Sequence, residues 1–401
     1  MQPIFRRSLF IAAAAVALYA ISPSLRSLGA GRPAPERFVR QAGHDPSARW
    51  SESGDLCMVF VRDEAAGGRL YYADSGAHTT AVAVSPPAPA VMAHSQTGPS
   101  LEILPGGELV AVYSVTAPGH WNTELRAQRS IDKGATWGAP VTVNDDKTAG
   151  PHGWVSTAID SAGRMRLAWL DSRSGAQGVV STATRDGVRF EANRVVDPRA
   201  CQCCSTSVAA DSKKGAWIAY RDLDGKDLRN IAVAAVGDGN GSAPPSVVVS
   251  DDGWRIDGCP DSGPRLALER SGALWVAWYT GAVPGVFAAF SSDGGKTFSP
   301  RVELARKAEG SGVPNHPEIA VLPEGRLVAL YVSGAAVFAR ALESDRKSWS
   351  APVRLLQDAA DPRITVRGSE SAVFYTARNG NELAAVAETA PLDAFRKAAA
   401  R

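Results

Sequence analysis

Apolar residues along this chain fall in short runs separated by glycine, proline, aspartate and serine, and the runs come in pairs. In each pair the second run follows a glycine turn and ends on an aromatic ring: Phe60, Tyr113, Trp169, Tyr220, Trp278, Tyr331 and Tyr375, with gaps of 53, 56, 51, 58, 53 and 44 residues. A period of this size marks one supersecondary unit copied and packed side by side, because a single copy cannot bury its own apolar face. The first two copies align at constant offset, with Pro46, Ser47, Gly54, Asp55, Leu56 and Phe60 opposite Pro99, Ser100, Gly107, Glu108, Leu109 and Tyr113.

Inside the fifth copy, apolar runs at 266–268, 274–278, 286–290 and 302–304 predict four strands. Four antiparallel strands per copy, repeated around a ring, predict an all-β fold, a β-propeller. Seven copies give seven blades, with six as the alternative because 48–50 makes a poor first strand. The last copy offers runs at 364–366, 372–375 and 383–386 and then no fourth strand, so 38–40 is expected to come back and close the ring. Helical periodicity is confined to the first thirty residues and to 394–401.

Between the third and fourth strands two copies carry a patterned turn. One is built from Ser130, Asp132, Gly134, Thr136 and Trp137, the other from Ser291 or Ser292 with Asp293, Gly295, Thr297 and Phe298. Decayed versions stand at Asp186 with Phe190, and at Ser344, Asp345 and Trp349. On these residues the chain resembles the sialidase-like propellers of the Asp-box (BNR) repeat superfamily, over almost everything past the N-terminal segment. Aspartate and serine in such a turn bond their own backbone, glycine takes the positive φ, and the ring tucks between units. The motif therefore reads as a staple rather than a site.

The N-terminal segment differs in kind. Arg6 and Arg7 precede an unbroken apolar stretch, 9–21, followed by small and turn-forming residues to Gly31. That stretch is short for a bilayer span and suits a secretory signal, so 1–31 is expected to be a signal peptide or an uncleaved membrane anchor, and the protein extracytoplasmic. Residues 32–45 then form a linker with the closing strand, 46–391 the propeller and 392–401 a tail. A formal charge of +2, with no basic run interleaved with aromatics, argues against nucleic acid. Any membrane contact is expected only through the N-terminal segment.

Chemistry-bearing residues gather on one face. Loops that precede innermost strands hold His44, His94, His152, Cys201, Cys203, Cys204, Cys259 and His316, and a second-to-third-strand loop on the same face holds His120. Only His78 and Cys57 fall elsewhere, Cys57 as a buried thiol. Such loops ring the channel mouth, where propellers bind their ligands. Two readings of the Cys201-Gln202-Cys203-Cys204 cluster with Cys259 stay open. In an oxidising compartment they are two disulfides, one crossing between blades to Cys259 and a second, such as a vicinal one, within the cluster. Alternatively Cys201, Cys203, Cys204, Cys259, His152 and His316 hold copper or zinc. In an extended segment Cys201 and Cys203 would lie on one side and Cys204 on the other.

The resemblance implies a further set. Sialidases clamp a substrate carboxylate with three arginines, use a tyrosine activated by glutamate as nucleophile and an aspartate as acid/base. Arg173, Arg221, Arg265, Arg363, Asp222 and Tyr279 are the candidates here, with Arg265 and Arg363 each following a proline and projecting into the channel. The bland account makes Arg221, Asp222, Asp224 and Arg229 a surface salt-bridge ladder and Tyr375 the repeat aromatic. The Arg-Ile/Leu-Pro signature that opens sialidase domains is missing, Arg32-Pro33 standing alone. We therefore expect a propeller that binds a small-molecule, glycan or metal ligand at a Cys/His-rich channel mouth without sialidase turnover. The alternatives are an exo-glycosidase acting on acidic glycans and a protein-interaction scaffold.

Overall fold

The computed structural model describes residues 37–119, 121–211, 215–225, 227–237, 245–306, 312–322 and 325–390. The N-terminal segment, His120 and the tail 392–401 lie outside the described residues. Among the described residues, the regular structure is strand except for one 3-10 turn at Ser95–Thr97.

Seven antiparallel sheets form seven blades, settling the count against six. Their innermost strands are His44–Trp50, Ser100–Ile103, His152–Ile159, Ser207–Asp211, Arg265–Leu268, Asn315–Val321 and Ala359–Arg367. Each blade has four strands, and the second blade adds a two-residue strand, Val91–Met92, that pairs with the same second strand as its innermost one. The seventh blade takes its fourth strand from Phe38–Ala42, which pairs with Glu382–Thr389 from Phe38 opposite Glu388 to Ala42 opposite Ala384. Both ends of the described chain thus meet in one sheet.

Second strands such as Leu274–Thr280 read as continuous apolar runs because both of their faces are covered by neighbouring blades. The seven repeat aromatics are all buried in this way. Core packing follows the ring, with one apolar cluster per blade interface. Val59, Tyr72, Leu101 and Tyr113 join blades 1 and 2. Val39, Phe374 and Ala387 meet Ala48, Met58 and Phe60 where blade 7 returns to blade 1.

The patterned turns are stapled as their residues suggest. Ser130 Oγ donates to Asp132 (2.8 Å) and accepts from the Gly134 amide (2.8 Å), while the Thr136 amide donates to Asp132 (2.9 Å). Ser291, Asp293, Gly295 and Thr297 repeat the arrangement. Each turn docks on the blade before it: Trp137 lies 5.8 Å from the Tyr72 ring, and Trp217 Nε1 donates to the Gly294 carbonyl. Gly134 has φ +93°, and a Cβ there would sit 2.1 Å from Tyr72. Gly134→Ala is therefore expected to cost about 2–3 kcal/mol through backbone strain and overpacking, read as a lower urea midpoint.

Candidate functional site

Alternate residues of an innermost strand face the axial channel, and X-Pro-Z at the head of five of these strands sets which ones. Asp45-Pro46-Ser47, Gly98-Pro99-Ser100, Gly263-Pro264-Arg265, His316-Pro317-Glu318 and Asp361-Pro362-Arg363 each deliver the residue after proline to a cavity of about 260 Å³. Ser156 from blade 3 and Ser207 from blade 4 complete that level. Two residues further along, Arg49 donates twice to Glu102 (3.1 and 2.8 Å), and Thr157 Oγ1 donates to the same carboxylate.

The strand heads are bent. Register shifts fall between His44 and Ser47, Gly153 and Ser156, Asn315 and Glu318, and Ala360 and Arg363. In the four bulges Asp45, Trp154, His316 and Asp361 have φ of +48°, +56°, +46° and +50°. Non-glycine residues in this region carry strain, and bulges re-aim side chains beside sites.

Arg265 and Arg363 sit where the sequence places them, in the channel, and both reach one carboxylate, Glu318, at 3.4 and 3.5 Å. Burial, and then the Arg363 charge, push the Arg265 guanidinium down to about 9, the mark of a cation short of counter-charge. Arg265 also donates to Ser205 Oγ (2.8 Å). Gln96 accepts from Ser205 Oγ (2.7 Å) and the Gly263 amide (3.0 Å) through its carbonyl oxygen. Its Nε2, and Nη1 of Arg363, have no protein hydrogen-bond partner.

Above this level lies a second group. His316 Nε2 donates to the Asp261 carbonyl (2.7 Å) and its Nδ1 stands 3.7 Å from Asp361, to which Ser95 Oγ also donates (3.3 Å). Burial raises the Asp261 carboxyl against the opposing pull of Ser95, His316 and His94. Trp154 packs edge-on against His94.

Other sequence candidates go elsewhere. Arg221 is 1% exposed, not part of a surface ladder: it donates to the carbonyls of Arg229 (2.9 Å), Ser262 (2.9 Å) and Tyr279 (2.8 Å) and stacks on Trp254. Tyr279 meets Trp254 edge-on and Asp222 is raised by burial and by Asp197; neither lines the channel cavity. Arg173 is held by Asp145, Asp146, Asp171 and Asn193. His152 belongs to that same cluster, with Nδ1 donating to the Thr123 carbonyl and Nε2 facing Asp146 at 3.1 Å. Tyr375 is a core aromatic whose hydroxyl donates to buried Glu388.

The metal set proposed from sequence is therefore divided. His152 and His316 each have their own partners, and the sulfur cluster of the described residues contains Cys201, Cys203 and Cys204 only. Cys203 is bonded to Cys259 across blades 4 and 5, as the disulfide reading expected of one bridge; the second bridge expected within the cluster is not formed, Cys201 and Cys204 being free thiols. The segment is not extended here, since the strand of blade 4 begins only at Ser207, and the turn brings Cys201 and Cys204 together instead of placing them on opposite sides. Sequence reasoning missed Gln96, Glu318 and Asp361. The repeated X-Pro-Z heads would have found the last two, whereas nothing local marks Gln96.

No family model matches the chain, and no curated protein matches it in sequence. Among solved structures it is similar to the BP39L lectin of Burkholderia pseudomallei, with a TM-score of 0.58 and 11% identity over 86% of this chain and 96% of that one. An α-L-arabinofuranosidase from Fusarium graminearum gives a TM-score of 0.49 and 14% identity, covering 90% and 99%. The NanB sialidase of Streptococcus pneumoniae gives 0.48 and 10%, covering 85% and 84%. The chain is a seven-bladed β-propeller in architecture, similar in fold to that lectin. At these identities the likeness is one of fold.

Proposed function

We propose that the channel mouth binds a small hydroxylated acid, such as an acidic sugar, on an exported propeller. The observation that carries the reading is the Arg265/Arg363 pair, two cations sharing one glutamate, with Arg363 Nη1 and Gln96 Nε2 unpartnered at the cavity they line. Buried donors without partners are costly, and a carboxylate or hydroxyl oxygen relieves that cost. Ser47, Ser100 and Ser207 add hydroxyls on the same level, and Asp361 lines the cavity beside them to meet the ligand's own hydroxyls. Export rests on Arg6, Arg7 and the apolar stretch 9–21.

Calorimetric titration of the full chain with glucuronate and N-acetylneuraminate, against glucose as the neutral control, tests this. The acids are expected to bind and glucose not. Arg363→Ala is expected to weaken acid binding about tenfold to a hundredfold, the worth of one charge-assisted hydrogen bond. Equal affinity for glucose, or no loss in the variant, refutes the reading. Running the titration beside a fluorogenic glycoside of the same acid separates binding from turnover.

A further inference from the structure

Two thiols that the channel does not use lie in the loop leading into blade 4. Cys201 and Cys204 are buried, and their sulfurs are 3.6 Å apart, in contact and unbonded. Cys203 Sγ stands within 4.8 Å of both but is committed to Cys259.

Both free sulfurs face groups that favour a thiolate. The Cys203 amide points at Cys201, the Ser262 amide at Cys204, and the Arg221 charge acts on the two together. Arg221 is buried, and its Nε–H has no protein hydrogen-bond partner. Amide donors and a fixed cation hold negative sulfur in a dry site. Cys201 is pushed down to about 6, first by the hydrogen bond from Cys204, whereas burial and that same bond push Cys204 up.

We infer that Cys201 and Cys204 form a site for a monovalent soft cation of the copper(I) type, held between the two sulfurs. On binding, the sulfurs release whatever protons they hold to solvent, both become thiolates, and two negative charges face one copper(I) and one guanidinium. The local charge sums to zero, which suits a buried site. Thiolate softness selects copper(I) over harder ions. Zinc in a structural site takes four ligands, and among the described residues this cluster offers sulfur alone, one of its three atoms already in a disulfide. The site is separate from the acid-binding cavity, so either proposal can fail without the other.

The test is an anaerobic titration of the full chain with copper(I) against a chromophoric copper(I) chelator. One equivalent is expected to be withheld from the chelator. Cys201→Ser and Cys204→Ser are each expected to lower the affinity at least a hundredfold, and Cys57→Ala to leave it unchanged. X-ray absorption on the copper-loaded natural chain is expected to show sulfur neighbours only, a readout that needs no variant to fold. Failure to hold copper, retention by both serine variants, nitrogen or oxygen neighbours, or a Cys201–Cys204 disulfide in the anaerobically purified chain overturns the inference.

Discussion

Arg221→Ala is expected to lose about 4–6 kcal/mol of stability, a cost of the size of a deleted core side chain although the residue is charged. Its guanidinium donates to three carbonyls drawn from two blades: Arg229 in the loop after the second strand of blade 4, Ser262 in the loop entering blade 5, and Tyr279 in the second strand of blade 5. Hydrogen bonds from a charged donor are worth about 1.5–3 kcal/mol each, and truncation leaves the acceptors buried and unmet. Stacking on Trp254, at 5.0 Å, adds to the loss. Arg221→Lys should recover under half, because one ammonium cannot reach three separated acceptors. Urea unfolding followed by tryptophan fluorescence measures both. A loss below about 1 kcal/mol in the alanine variant would show that water replaces the guanidinium without penalty.

Removing residues 1–43 is expected to have the largest effect of all. That deletion takes away the strand Phe38–Ala42, five register pairs with Ala384–Glu388, and buried Val39. It leaves an apolar edge unpaired and opens the interface where Phe374 and Ala387 meet Met58 and Phe60. The whole stability of a domain is only about 5–15 kcal/mol, and a ring held by one interface per blade loses two neighbours' support when one opens. The truncated chain should aggregate or melt more than about 10 °C lower. A synthetic peptide covering 37–43, added in trans, should restore part of the loss by pairing with the free edge. A truncated chain that elutes as a monomer and melts within about 3 °C of the full one would mean closure does not hold the ring.

Much of this architecture was legible because propeller physics is local and repeated. Each blade must bury both faces of its second strand, so seven apolar runs ending on rings could be counted directly. The runs at 266–268, 274–278, 286–290 and 302–304 became the four strands of blade 5 with their ends extended by one or two residues. The closing role of 38–40 was readable for the same reason: a blade with three strands leaves one edge that something must cover.

The site was legible only in part. Arg265 and Arg363 could be sent to the channel from their place after proline, yet Glu318 between them went unnoticed, since a Pro-Glu pair carries no chemical signature alone. Arg221 and Arg173 looked like channel cations because they begin loops on the ligand face. Both proved to be structural, their charges consumed by carbonyls in one case and by three aspartates in the other.

Four strands per blade and the stapled turns follow from the sequence by itself, because each depends on a pattern only a few residues long. Partnership did not follow from it. That Cys203 takes Cys259 while Cys201 meets Cys204, that His152 turns to Asp146 rather than to sulfur, and that two arginines share Glu318 were decided by the closed ring. Closure sets the distance and tilt between loops some fifty residues apart, and a charge or a thiol acquires its chemistry from what lies within a few ångströms of it.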